Sequence, residues 1–546
     1  MGRKFKFWKP RSQEEPSDYS SLSQVLFLNR NFHSVSKLEY GDHGLEQAFQ
    51  TIAEALRQNR RIALYADYDV DGTMSCVSWI WFLQSIGFNN FVHHIPDRSK
   101  EGYGVNLQAV RHLVEDEKAQ LIITMDTGIT ANEEASWCRQ RGVEFICTDH
   151  HKVQIEKMPD CIILNPKLHP EPTYQELCGC GITFVLLRKL GHLFPPAPEL
   201  WTDILALTGM ATICDVVPLN GVNHRLAQAG VQALWKSKRP VLQKLLKASA
   251  ASSSNFDERD VGFRLGPRIN AVGRLDHADK VIEAFVGDDV EPLIKYMNVC
   301  NERRKKVQAR IVEEAAELAE TYRNDPILFL GGDWHAGVVG IAASKIAETY
   351  WKPTWLFQKA ELCKGSARSI PHFDVTNAMS SAKAHFTKFG GHKAAGGFSF
   401  PLEKEEAIRE QLLMFAEDEK RKNPDRWESV IYYDCALPMN LAKLDLTDHL
   451  SSLRPFGHGF EEPVFKISAR IHDVRFYNDK DTGKPKHTAV FIEGAQKQAQ
   501  KIMFFNEVHQ EIAEMTHVDV LVTASRQQWQ GRSQLSLIGC DYAINT

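Results

Sequence analysis

Asp67, Asp69 and Asp71 lie in the stretch Arg61-Ile-Ala-Leu-Tyr-Ala-Asp-Tyr-Asp-Val-Asp-Gly72, three carboxylates at alternate positions behind an apolar run. Alternate residues of an extended chain point the same way, so these acids should converge. Crowded carboxylates repel and resist ionising together, and a divalent cation among them resolves the conflict. For this stretch alone an acidic surface turn is the plainer alternative. Three further segments repeat the pattern. Leu121 to Met125 runs into Asp126-Thr-Gly128, Val143 to Thr148 into Asp149-His150-His151, and the helix-like Ile204 to Cys214 into Asp215. Carboxylates with imidazoles and no thiolate suit Mn²⁺ or Mg²⁺ better than structural zinc. The acids exceed what one ion needs, which points to two metals sharing a bridging carboxylate and to hydrolysis of a phosphoester or phosphoanhydride.

Other residues suit a phosphate-bearing substrate. Arg98 follows a strand-like segment in a polar loop, Pro96 to Gly104. Gly365-Ser366-Ala-Arg368 offers a hydroxyl, a nest of backbone amides and a guanidinium. Arg268 and Arg274 fall in Gly266-Pro-Arg-Ile-Asn-Ala-Val-Gly-Arg274, which reads as a glycine-bounded loop. In the glycine-rich loop Phe389 to Gly397, Gly390-Gly391 lets backbone approach a ligand beside His392. Taken singly, each is a surface cation among loop glycines; together with the acids they form a set. His93-His94 has no adjoining acid and reads as structural. Cys178-Gly-Cys180 reads as a packing accident.

The elements that must position these residues alternate between strand and helix from 46 to 250, which implies a parallel sheet covered by helices on both faces. A Ser/Ala-rich linker (Ala248 to Asn255) and a long charged helix (Asp288 to Asn324) fill 251–325. A second α/β unit occupies 326–425, with helices expected at Val375 to Phe386 and 403 to 423. From 426 to 546 the period turns to two, and about five short strands suggest a small β-barrel of the oligonucleotide-binding type. The fold expected is therefore two α/β domains joined by a long helix and followed by a barrel. Residues 1–45 are polar and weakly periodic. Their basic-aromatic start reads as a disordered tail, with a DNA-touching arm as the alternative.

Composition sets the outer limits. A chain of 546 residues holds about three or four domains. No apolar run reaches the ~18 to 20 residues that span a bilayer. The eleven cysteines form no Cys-x-x-Cys pair, and no signal-peptide core is present, so a reducing, cytoplasmic location is expected. A net charge of −4 excludes a globally basic nucleic-acid binder but leaves room for a local basic groove.

Taken in order, Asp67-x-Asp-x-Asp-Gly72, Asp126-x-Gly128, Asp149-His-His151 and Asp215 resemble the DHH phosphoesterase superfamily. Gly390-Gly-His-Lys-Ala-Ala-Gly396 is similar to the substrate-binding domain that accompanies it. Pro267 to Leu275, Trp334 to Ile341, Gly365 to Ser369 and the terminal barrel resemble, within it, bacterial single-strand-specific 5′→3′ DNA exonucleases. The resemblance implies that Asp69, Asp126, His150 and Asp215 hold one metal, Mn²⁺ or Mg²⁺. Asp67 or Asp71 would hold a second, with Asp126 as the bridge. It implies that His151 meets the scissile phosphate, and that Arg98, Arg274, Ser366 and Arg368 grip phosphates towards the 5′ end. His392 would close over the site while the barrel guides single-stranded DNA, supplied by a helicase and a single-strand-binding protein in repair and recombination. The segment Phe456 to Pro463 lacks the family's Asn-Pro, so the join to the barrel is expected to differ. Two alternatives stay open: a hydrolase of short oligoribonucleotides, cyclic dinucleotides or pyrophosphate, and a non-catalytic DNA-binding scaffold. The barrel speaks against the first, and the full set of acids and histidines against the second.

Overall fold

The computed structural model describes residues 5–35, 38, 40–98, 101–102, 104–249, 256–479, 482–494, 499–529 and 532–543. Most of the Ser/Ala-rich linker therefore lies outside the described residues. Strands Ile62–Ala66, Leu121–Met125 and Glu144–Thr148 are apolar and buried almost throughout, as strands covered on both faces must be. With Phe91–His94 and Ile162–Leu164 they form a parallel five-stranded sheet. Strand Ile62–Ala66 pairs with Phe91–His94 on one side and Leu121–Met125 on the other. Chain order thus reverses at this strand, and the crevice outside its carboxyl end is where α/β sheets bind ligands.

Helix Val290–Thr321 has 32 residues and is ~48 Å long at 1.5 Å per residue. It carries the chain to a second five-stranded sheet, in which Leu328–Gly332 and Thr354–Gln358 are parallel and the remaining pairings antiparallel. The helix after Thr354–Gln358 is shorter than the sequence pattern suggests, Val375–Ser381. The last unit is a sheet that closes on itself: its strands run in the order Phe465–Asn478, Pro485–Glu493, Ala499–Phe504, Arg532–Ala543 and His517–Trp529, and the last pairs back with the first. Its interior is filled by Phe465, Ile467, Val490, Ile502, Phe504 and Val520. The architecture is two α/β units and an oligonucleotide-binding-type barrel. No helix among the described residues is long and apolar enough to cross a membrane.

The reading of residues 1–45 as a disordered tail is overturned for residues 5–35. Phe7–Pro10 pairs in parallel with Val430–Tyr433, and helix Tyr19–Asn29 inserts Leu22, Val25 and Leu26 into the barrel core. These three recur at helical spacing on a mostly polar segment, and their partner lies more than 400 residues on.

Candidate metal centre and cleft

The three leading acids converge by a different geometry from the one their spacing suggests. The strand ends at Ala66 and a helix begins at Val70, so Asp67 to Asp71 turn from strand to helix rather than running extended. Asp69 is the N-cap, one of its oxygens accepting from the amides of Asp71 at 2.8 Å and Gly72 at 3.2 Å. Asp71 faces the start of helix Gly179–Leu193, where its carboxylate accepts from the amides of Gly179 at 2.5 Å and Cys180 at 2.7 Å. The positive end of that helix favours the anion. Cys178-Gly-Cys180 is thus part of the site and not a packing accident. A side chain at position 179 would meet Cβ of Asp126 at 2.8 Å, which explains the glycine.

Asp126, just past Leu121–Met125, adopts φ +59°, a conformation that Asp and Asn tolerate best. Asp149, just past Glu144–Thr148, accepts from the Ile129 amide at 2.9 Å and from His151 Nδ1–H at 2.7 Å. It therefore fixes the ring of His151, a positioning role that the sequence did not single out, although the Asp-His-His run was its signal. Asp215 caps the end of helix Glu199–Cys214.

These elements bring the acids and imidazoles together. His150 Nε2 lies 3.0 Å from Asp126 Oδ1, 3.5 Å from Asp215 Oδ2 and 3.7 Å from Asp71 Oδ2. Among the described residues, three groups have ligand atoms within 4.8 Å of one another: Asp126 with His150 and His151, Asp71 with His150 and Asp215, and Asp67 with Asp69 and Asp126. Asp126 belongs to two of them. Asp67 Oδ1, Asp126 Oδ1 and His150 Nε2 are buried without a hydrogen-bond partner. Burial, and then their mutual repulsion, hold Asp67, Asp126 and Asp215 well above the usual carboxylate range and push Asp71 up to about 7. Burial, then the neighbouring His151, lowers His150 to about 3, so its ring is neutral and offers a lone pair. His151 goes the other way: despite burial, the Asp149 hydrogen bond and charge raise it. Unpaired oxygen and nitrogen atoms aimed at one small volume are the donor set of a hard or borderline divalent cation, and the residues fit one.

A cleft of about 650 Å³ is lined by Asp97, Arg98, Arg274, Asp276, His277, His335 and Lys364, and it meets the acid-bearing turn at Gly273, where an added Cβ would stand 2.8 Å from Tyr68 O. Arg274 donates to Gly337 O at 3.2 Å, Arg368 to Ser366 Oγ at 2.5 Å and Ser344 Oγ at 3.1 Å, and Arg98 lies over the Tyr68 ring at 5.0 Å. Burial, then the nearby Arg98 and Arg368, lowers Arg274 to about 10. Guanidiniums that repel one another across a cleft await an anion. His392 comes in from the second unit, its ring stacked 6.4 Å from that of His151.

Four readings of these segments change. Gly266–Leu275 is a helix and not a loop, with Pro267 in its first turn. It points Arg268 away from the cleft, bonded to Asn298, Arg264 O and Ala248 O. Gly365 to Arg368 lies in a strand paired on both sides, so its amides are spent on the ladder and form no nest. The run Phe389 to Gly397 is a hairpin, Lys388–His392 with Ala395–Pro401. His93 and His94 each pair with an acid, Asp279 at 2.8 Å and Glu101 at 3.1 Å, away from the metal-type cluster.

Comparison with known proteins agrees. Residues 61–212 match the DHH family, N-terminal domain, residues 324–418 the DHHA1 domain and residues 433–541 the RecJ OB domain. The chain is 31% identical to the single-stranded-DNA-specific exonuclease RecJ of Bacillus subtilis, covering 92% of this chain and 64% of that protein. It is also 31% identical to the RecJ of Thermus thermophilus, covering 89% of this chain and 69% of that protein. The crystal structure of Thermus thermophilus RecJ with Mn²⁺ superposes with a TM-score of 0.84 at 25% identity, covering 99% of this chain and 80% of that one. A second structure, exonuclease RecJ bound to manganese, gives 0.61 at 30% identity, covering 70% of this chain and 96% of that one. This chain belongs to the RecJ family of single-stranded-DNA-specific exonucleases.

Proposed function

We propose that the protein is a two-metal, single-stranded-DNA-specific 5′→3′ exonuclease that hydrolyses phosphodiester bonds to release 5′-mononucleotides. The observation that carries this reading is the set of unpartnered, buried donor atoms of Asp67, Asp126 and His150 beside a cleft of arginines. Asp71, Asp126, His150 and Asp215 would hold one Mn²⁺ or Mg²⁺, and Asp67, Asp69 and Asp126 the other, a different division of the acids from the one the resemblance implies, because Asp71 and not Asp69 has a carboxylate oxygen grouped with His150 and Asp215. When bound, the two cations supply Lewis-acid chemistry, easing deprotonation of the attacking water and stabilising the departing oxygen.

The chain's own residues do the rest. His151, whose hold on a proton Asp149 strengthens, donates to a non-bridging oxygen of the scissile phosphate, and His392 closes the opposite side. Arg98, Arg274, Ser366 and Arg368 hold the 5′ end, so that the bond one nucleotide in lies over the acids. The barrel guides the incoming strand by stacking and backbone charge. A helicase and a single-strand-binding protein supply that strand, in DNA repair and recombination in the cytoplasm.

The test is incubation with end-labelled single-stranded DNA, RNA and blunt duplex in Mn²⁺, Mg²⁺ or EDTA. Mononucleotides should appear from single-stranded DNA alone and vanish with EDTA; equal cleavage of RNA oligomers would favour the oligoribonuclease alternative. Arg368→Ala should erase most of the preference for a 5′-phosphorylated end, about 10-fold or more in KM with kcat nearly kept, since a charge-assisted bond to one end of the substrate is lost. An unchanged preference would remove Arg368 from the end-binding set.

A further inference from the structure

The turn that presents Asp215 is gripped by the segment joining the body to the barrel, and we propose that His458 is a positioning residue for Asp215 and for the cation held there. This rests on the reading of Asp215 as a metal ligand.

Val216 follows Asp215 with φ +60°, a left-handed conformation that a β-branched residue avoids. It is 63% exposed, so side-chain packing does not hold it there. Two hydrogen bonds from one residue do. His458 Nδ1 lies 3.0 Å from Val216 O, and a carbonyl only accepts, so Nδ1 carries the proton. His458 O accepts from the Leu219 amide at 2.7 Å. The two bonds bracket Val216 to Leu219 like a clasp.

The clasp is itself anchored. Gly459, at φ +75°, lies so close that an added Cβ would stand 3.2 Å from Pro218 Cβ. Phe456 and Phe460 on either side are buried with Leu219 and Ala227 and pack against Phe27 and Phe32. The peptide between residues 215 and 216 is a rigid plane, so relaxing φ at Val216 turns the backbone from which the Asp215 carboxylate reaches to within 3.5 Å of His150 Nε2. Supports of this kind set how well a ligand is aimed.

The experiment measures Mn²⁺ affinity without DNA, from the electron paramagnetic resonance signal of free Mn²⁺, in wild type, His458→Ala, His458→Asn and Asp215→Asn. His458→Ala should bind Mn²⁺ about 10-fold more weakly, and its turnover should recover at saturating Mn²⁺. His458→Asn, whose amide can donate to the same carbonyl, should restore much of the affinity. Val216→Gly removes the strained residue, and in that background His458→Ala should change affinity little. Should His458→Ala not fold, the asparagine and Val216→Gly arms decide. Wild-type affinity in His458→Ala, together with weakened binding in Asp215→Asn, would overturn the proposal. Unchanged affinity in Asp215→Asn would instead overturn the ligand reading on which it stands.

Discussion

Asp126→Asn is expected to lower turnover about 10³-fold or more, ~4 kcal/mol of transition-state stabilisation, while leaving the metal-free protein as stable as the wild type or more so. Asparagine keeps the volume of Asp126 and tolerates φ +59°, so the backbone is not disturbed. What it removes is an anionic oxygen shared by two donor groups. Without a cation that oxygen is a liability: burial first, then Asp71, Asp69, Asp67 and Asp215, push the carboxyl towards its neutral form. The sign follows directly. An acid whose folded pKa lies above its unfolded one binds more protons when folded, so the metal-free wild type loses stability as pH rises from about 4 towards the raised value. Asp126→Asn should flatten that decline. Mn²⁺ reverses the order, since a ligand at 100 times its Kd adds ~2.7 kcal/mol to the wild type. Melting curves with and without Mn²⁺ across pH separate these effects from activity. Near-wild-type turnover in Asp126→Asn would end the two-metal reading.

The second large effect is structural. Arg30→Met should destabilise the barrel by ~3–5 kcal/mol, because it strands the buried carboxylate of Asp434. The two side chains are 1% and 2% exposed. Arg30 reaches both oxygens of Asp434, at 2.6 and 3.0 Å, and also donates to Leu26 O and Glu461 O. Removing one partner of such a pair costs far more than the pair contributes. Arg30→Met with Asp434→Leu should therefore recover part of the loss. Limited proteolysis should release the first ~35 residues of the single variant, while cleavage of very short oligomers persists. A barrel transition unchanged by Arg30→Met would return residues 1–45 to the status of a loose tail.

How much of this was legible follows from how local each signal is. The strand ends carrying Asp67, Asp126 and Asp149 were readable because a buried apolar run ending in an acid is a short-range pattern. The helix at Gly266–Leu275 was misread because two glycines and a proline suggest a loop, and the proline occupies the helix position that needs no amide partner. The strand at Leu362–Arg368 was misread for a related reason: Gly-Ser-Ala-Arg has little strand propensity, and pairing with two neighbours overrides it. Arg268 and Arg274 are six residues apart, and only the register of their helix sends one to the cleft and the other to the long helix.

By itself, then, the sequence determined the chemistry: which acids and imidazoles the chain has, the order of strand and helix that carries them, and the kind of cation they suit. The tertiary structure alone decided which atoms face one another. It put the amides of Gly179 and Cys180 on Asp71, the ring of His151 against Asp149 and His392, and one face of the helix Tyr19–Asn29 on the core of a barrel that begins some 400 residues later. The reason is physical. Backbone propensity and side-chain type act over a few residues, whereas the low-dielectric pocket that pushes Asp71 to about 7 exists only once distant segments have excluded water from it together.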